Sequence, residues 1–306
     1  MVRPMDRRTL TRTAIRRVVQ LPPAPELPSG YTVELPGRGT TFVAEIEGPP
    51  GAPTLFLLHG LACTAYLNWF PALESLSAKY HIIMMDMRGH GRGIRHGRFF
   101  RLKDCADDAV AVADLFGIES FIPVGYSMGG PVAQLLWRHH PERVDGLVLC
   151  ATARNFRGKP QERLFFMMLP AVAMGLALRK PGTETADAMA KRLIDFPADA
   201  ELSDLDVPSW ALKEFRRTSP WTMLQGVNAI GQYSSHGWIT DIDVPTAVVV
   251  TTKDRFIPTS RQLRLAELIP GATTHLCNAN HAACVLAAHR FVPVLNEAVD
   301  SVTSRL

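Results

Sequence analysis

Residues 125–130, Gly-Tyr-Ser-Met-Gly-Gly, join an apolar run over 121–124 to a helical pattern over 131–140. A strand therefore runs into a helix through a turn with glycine on both sides of Ser127. A Cβ at Gly125 or Gly129 would collide with neighbouring backbone. The bend pushes the Ser127 hydroxyl clear, beside the free N–H groups of the next helix. A serine hydroxyl becomes a strong nucleophile when a histidine takes its proton and a carboxylate holds that histidine in the right tautomer. The chain supplies such groups in the order Ser127, Asp254, His281, each after a stretch read as a strand. Taken alone, the turn has a blander reading, a glycine-rich connection with an exposed serine.

The elements that must position these groups follow from hydrophobic periodicity. Residues 31–47 alternate as a hairpin, with Gly37 and Gly39 in its turn. Continuous apolar runs over 54–58, 81–86, 145–151 and 245–251 read as strands buried on both faces. A shorter strand is expected over 273–276. Helical patterns lie between them, over 68–80, 104–116 and 260–268, and a last helix is expected over 282–299. Gly117 fits the C-cap of the second. Strands alternating with helices predict a mostly parallel sheet with right-handed crossovers. Ligands bind at the carboxyl ends of such strands, where His59-Gly60, Asp86 and Ser127 all fall.

The rhythm breaks between 154 and 240, where there is no buried strand. Apolar helical stretches over 164–178, 186–196, 211–215 and 221–230 read as an all-helical cap over the site. Phe165, Phe166, Met167, Met168 and Met174 are expected to form mainly the cap's own core, with a minority lining an apolar pocket. The expected division is an arm over 1–30, a core over 31–153 and 241–306, and the cap over 154–240.

The chain has 306 residues, 47% hydrophobic and 20% charged, an ordinary globular composition. Its formal net charge is +4. Residues 1–30 carry six arginines against Asp6 and Glu26, which accounts for the whole excess. The body is neutral, so nucleic acid is not an expected partner. The arm has two readings: a partly ordered extension, which is preferred, or a short basic amphipathic helix whose residues 1–20 rest on anionic lipid. Five cysteines and no CxxC or Cys/His metal spacing argue free thiols, with no metal and no cofactor. No secretory signal and no spanning segment are expected, and the location is read as cytoplasmic.

The order Ser127, Asp254, His281, the His59-Gly60 turn and the Arg88-Gly89-His90-Gly91 loop together resemble the α/β-hydrolase fold family over about residues 31–153 and 241–306. The resemblance implies a central sheet flanked by helices and a Ser-His-Asp triad. It implies an oxyanion hole built from the backbone N–H groups of Leu61 and Met128. His59, Asp86 and His90 then have structural roles. Of the rival groups, His275 falls within a strand and His289 within the last helix. His139, His140 and His236 precede the acid. Asp241 and Asp243 lie at the wrong end of the sheet. Asp104, Asp107 and Asp108 read as a solvated helix start. In this family an Asp nucleophile marks dehalogenases and epoxide hydrolases, whereas Ser fits attack on esters or thioesters. The expected activity is esterase- or lipase-like hydrolysis of carboxylic esters that carry an apolar acyl group or are small and lipophilic. Carbon–carbon bond hydrolysis and cofactor-free perhydrolysis, as in the haloperoxidase-like enzymes of this fold, are the alternatives. A non-catalytic binder on the same scaffold ranks below them. The oligomeric state stays open.

Overall fold

The glycines at 37 and 39 adopt φ of 70° and 115°, and the chain reverses on them between β1 (Gly30–Leu35) and β2 (Gly39–Ile46). In this computed structural model, residues 27–95, 99–157 and 207–306 are described. The remaining strands are β3 (Thr54–Leu58), β4 (His81–Met85), β5 (Ile122–Tyr126), β6 (Leu147–Cys150), β7 (Thr246–Thr251) and β8 (Thr273–Cys277). They form one sheet in the order β1-β2-β4-β3-β5-β6-β7-β8. β2 pairs antiparallel with β1 and β4, and every later pairing is parallel. The sheet is thus mostly parallel, as the alternation of elements predicts.

The continuous apolar runs have a simple cause. Side chains alternate between two faces, and both faces are covered. Phe56, Leu58, Ile83, Met85, Leu147, Leu149, Val248 and Val250 enter one core. Leu55, Leu57, Ile82, Met84, Val148, Cys150, Ala247 and Val249 enter the other. The first core lies under α3 (Leu102–Leu115), α4 (Gly129–His139) and α7 (Thr259–Leu268). The second lies under α1 (Ala65–Trp69), α2 (Leu73–Ser77) and α9 (Ala288–Thr303).

Three expectations need correction. The helix expected over 68–80 begins earlier, because the Thr64 side chain accepts a hydrogen bond from the Leu67 N–H and caps α1. It is then interrupted by a 3₁₀ turn, Phe70–Ala72, that carries Pro71 in its first turn. The final helix is likewise divided, into α8 (Ala283–Leu286) and α9, at Ala287 with φ −136° and ψ 40°. The acids at the start of α3 are not simply solvated. Asp108 is fully buried and receives Arg38 Nε at 2.6 Å and Arg88 Nη2 at 2.7 Å. Asp107 pairs with Lys103 and His140. Lys103 is an i,i+4 neighbour on the same helix, but Arg38, Arg88 and His140 come from elsewhere in the fold, which periodicity along one helix cannot reveal.

Between β6 and β7 the described chain holds α5 (Val207–Arg216) and α6 (Pro220–Gln232). Ser219 caps α6 by accepting from the Thr222 N–H, with Pro220 at the helix start. The expected arm and connector up to residue 26, the stretches over 164–178 and 186–196, and the five pocket candidates from Phe165 to Met174 lie outside the described residues. Among the described residues, no helix is long and apolar enough to cross a membrane.

Candidate active site

Ser127 has φ 50°, in the left-handed region that a non-glycine residue enters only under constraint. The constraint is visible around it. A Cβ on Gly125 would overlap the Gly129 backbone, and one on Gly129 would overlap the Leu58 carbonyl. The Ser127 N–H donates to the Cys150 carbonyl at 2.9 Å. Its carbonyl accepts from the Gly130 N–H at 3.0 Å and from the Thr152 hydroxyl at 2.9 Å. The turn is therefore tied to β6 and to its own helix, which leaves the Oγ free of structural work.

That Oγ lies 2.9 Å from His281 Nε2, and His281 Nδ1 lies 2.7 Å from Asp254 Oδ2. The carboxylate fixes the tautomer: Nδ1 carries the proton and donates to it, so Nε2 faces the hydroxyl as an acceptor. The fold thus brings together three residues that stand 127 and 27 positions apart in sequence, counted from Ser127 to Asp254 and from Asp254 to His281.

The Asp254 side chain is fully buried, and every lone pair direction is used. Oδ1 accepts the Phe256 and Ile257 N–H groups, each at 2.9 Å. Oδ2 also accepts the Thr251 hydroxyl at 2.8 Å and Gln262 Nε2 at 3.1 Å. Burial on its own would raise this carboxyl. The His281 hydrogen bond and charge, with the Ile257 N–H and the Thr251 hydroxyl, outweigh it and hold the group below the usual carboxylate value.

The turn after β3 supplies the other expected group. The Gly60 N–H donates to Asn68 Oδ1 at 3.0 Å, and the Cys63 N–H donates to the Gly60 carbonyl at 3.2 Å. His59 Nε2 accepts the Met87 N–H at 2.8 Å, so its Nδ1 donates to the Gly60 carbonyl, also 2.8 Å away. Burial pushes His59 down to about 4, with the Gly60 bond opposing and the Arg92 charge assisting. A neutral, doubly bonded imidazole holds the turn. At this turn Leu61 meets α6, since a Cβ on Gly226 would overlap the end of the Leu61 side chain and touch Met128 Sδ at 3.9 Å. Leu61 and Met128, the two residues expected to line an oxyanion site, therefore share a neighbour in space.

The rival groups are engaged elsewhere. His275 bonds to Thr273 and Ser301, His140 to Asp107, and His236 to Arg154. Asp243 accepts from Trp137 Nε1 at 3.0 Å. His90 sets Nδ1 against the Arg88 carbonyl and its ring against His59. Asp86 binds the Ala65 N–H and Arg92. Cys277 and Cys284 are buried free thiols, pushed up by burial. Among the described residues no group of three or more His, Cys, Asp or Glu side chains could hold a metal ion.

Four residues at the site escape a reading of the sequence. Thr251 and Gln262 support Asp254, Asn68 supports Gly60, and the Tyr126 hydroxyl donates to the His281 carbonyl at 2.7 Å. Thr251 ends a strand and Gln262 lies on an ordinary amphipathic helix, so neither carries a local signal. Tyr126 lies within the serine turn, but its bond to the His281 loop exists only across the fold.

Comparison with known proteins agrees with this architecture. A family model described as the alpha/beta hydrolase fold matches residues 53–288. Epoxide hydrolase B of Mycobacterium tuberculosis is 34% identical over 116 residues, which are 36% of this chain and 32% of that protein. The chain therefore matches about a third of that relative's length. A putative carbamate hydrolase, RutD, of a Caulobacter species is 28% identical over 268 residues, 82% of this chain and 93% of that protein. A hydrolase from Pseudomonas aeruginosa superposes with a TM-score of 0.72 at 20% identity, covering 90% of this chain and 98% of that one. The serine turn, the strand order and the matched span lead to one conclusion: the chain belongs to the alpha/beta hydrolase fold family.

Proposed function

We propose that the protein is a serine hydrolase acting on carboxylic esters, with Ser127 as nucleophile, His281 as general base and acid, and Asp254 as the carboxylate that orients it. The single observation that carries this reading is the unbroken chain Ser127 Oγ–His281 Nε2 at 2.9 Å and His281 Nδ1–Asp254 Oδ2 at 2.7 Å. Ser127 Oγ attacks the ester carbonyl carbon while its proton passes to His281 Nε2. The carbonyl oxygen takes the negative charge and rests on the Leu61 and Met128 N–H groups. The intermediate collapses, the C–O bond to the alcohol breaks, and His281 returns the proton to the leaving oxygen. Water, deprotonated by His281, then attacks the acyl-enzyme, and the acid leaves as Ser127 recovers its proton.

The named relatives bear on this unequally. One relative is named a putative carbamate hydrolase, and a carbamate, like an ester, offers a carbonyl carbon for Ser127 to attack. The epoxide hydrolase match is partial, and the residue at the turn here is Ser, not the Asp that marks epoxide opening in this family. Leu61 and Met128 meet Gly226 of α6, and these apolar side chains next to the serine turn favour an ester with an apolar part.

The test is hydrolysis of p-nitrophenyl esters from acetyl to palmitoyl by wild type and Ser127→Ala. The variant should lose about 10⁴-fold or more in kcat while keeping its fold. Turnover that survives in Ser127→Ala would refute the serine mechanism, and wild-type inactivity on every ester would move the reaction to carbon–carbon cleavage or perhydrolysis.

A further inference from the structure

Glu214 of α5 is a carboxylate at 3% exposure, far from the serine in sequence and not part of the triad. Burying an ionised group is costly unless several donors meet it. Here Oε2 accepts the Thr64 hydroxyl at 2.7 Å and Arg92 Nη2 at 3.4 Å, and Oε1 accepts Arg217 Nε at 2.6 Å. Because the Thr64 hydroxyl has one proton and gives it to Glu214, its lone pairs turn to the Leu67 N–H at 3.1 Å. Arg92 also binds Asp86, whose other oxygen receives the Ala65 N–H at 2.8 Å. Two carboxylates from different parts of the chain thus flank one guanidinium and grip the same segment, Thr64-Ala65.

That segment ends the turn that begins at Gly60. Inside the turn, immediately after Leu61, Ala62 has φ 62°. A left-handed alanine persists only when its surroundings fix it from both sides. One side is the Gly60 N–H on Asn68 Oδ1. The other is Thr64 on Glu214. Leu61 lies in the chain between these two anchors.

We infer that Glu214 is a positioning residue: through Thr64 it holds the strained Leu61-Ala62 turn, so that α5 must be seated for the oxyanion site to form. The inference rests on the reading of Leu61 as an oxyanion donor. Its consequence is that the helices between β6 and β7 act on the chemical step as well as on substrate fit.

The test uses the full chain and the variants Glu214→Ala, Glu214→Gln, Thr64→Val and Thr64→Ser, with hydrogen exchange of the peptide spanning 60–68 beside ester kinetics. In Glu214→Ala, amide exchange over 60–68 should rise about tenfold or more, while the segment 121–130 stays protected. kcat should fall about 10–100-fold with KM within about threefold, as expected of a misplaced oxyanion donor. Glu214→Gln keeps an oxygen for the Thr64 hydroxyl and should recover most of kcat, and Thr64→Ser should behave likewise. Thr64→Val also removes the α1 cap, so it should lose at least as much as Glu214→Ala, and the double variant should fall no further than Thr64→Val alone. Unchanged exchange over 60–68 would overturn the inference. So would a loss confined to KM, or effects at Thr64 and Glu214 that multiply independently. If Glu214→Ala does not fold, Glu214→Gln and the Thr64 pair decide by the same readouts. The exchange measurement needs no turnover, so a failed serine mechanism, seen in Ser127→Ala, is recognised separately.

Discussion

Asp86 and Asp254 occupy mirrored places. Asp86 follows β4 and Asp254 follows β7, each two strands from β5, which leads into the serine turn, and on opposite sides of it. Both side chains are fully buried. Their partners differ in kind. Asp86 receives two backbone N–H groups and the Arg92 guanidinium, so its charge is neutralised within its own loop. Asp254 receives two backbone N–H groups, a hydroxyl and an amide, all of them neutral, and then His281. Neutral donors stabilise a carboxylate without cancelling its field. In the proposed reaction the negative charge of Asp254 stays available to an imidazolium formed when Ser127 gives up its proton. Two carboxylates of equal burial are thereby set to different tasks by the charge of their neighbours.

Replacing each by its neutral isostere gives the sharpest contrast. Asp254→Asn should lower kcat by about 10⁴-fold, because the amide favours the wrong His281 tautomer. Asp86→Asn should instead show mainly in urea unfolding, with about 3 kcal/mol lost as Arg92 keeps a poorer partner. Equal losses of activity in the two variants would break the comparison. A smaller effect tests the neutral shell. Gln262 Nε2 bonds to Asp254, to Thr251 Oγ1 and to the Ile257 carbonyl, while its Oε1 accepts the Thr251 N–H. Gln262→Leu should cost about 1–3 kcal/mol in denaturant unfolding. Its kcat loss should be far below that of Asp254→Asn, because the His281 bond remains. The smallest effect is in pH dependence. The folded Asp254 carboxyl lies below its unfolded value of about 3.9. Its stabilisation is complete above the unfolded value and is lost as pH falls through the folded one. The stability of wild type relative to Asp254→Asn should therefore shrink below about pH 4 and stay level from pH 5 upward, as read by urea midpoints.

The two aspartates also show what a sequence can and cannot say. Each stands after an apolar run, and that placement was readable because strands buried on both faces leave an unmistakable continuous pattern. The preference for Asp254 came from the order of Ser127, Asp254 and His281, not from any local mark on the residue. Arg92 as the partner of Asp86, and Thr251 and Gln262 as partners of Asp254, were not readable. Such contacts depend on loop paths, and loop paths leave no periodicity. The acids of α3 make the same point. Asp108 fits a solvated helix start in every local respect, yet Arg38 from the β1–β2 turn and Arg88 from the β4 loop enclose it. The expected helices over 68–80 and 282–299 exist in those regions but differ in their ends and continuity, because side-chain pattern does not report where backbone bonds are diverted.

The sequence by itself determined the alternation of strands and helices, the serine turn with its obligatory glycines, and the chain order of Ser127, Asp254 and His281. These are local properties: side-chain period, the absence of a Cβ, and residue identity. Tertiary structure alone decided that Ser127, His281 and Asp254 meet at hydrogen-bond distance, which carboxylate keeps its charge free, and that Glu214 of α5 reaches Thr64 across 150 residues. Those outcomes are set by the packing of elements distant in the chain, where a displacement of about 1 Å separates a hydrogen bond from none.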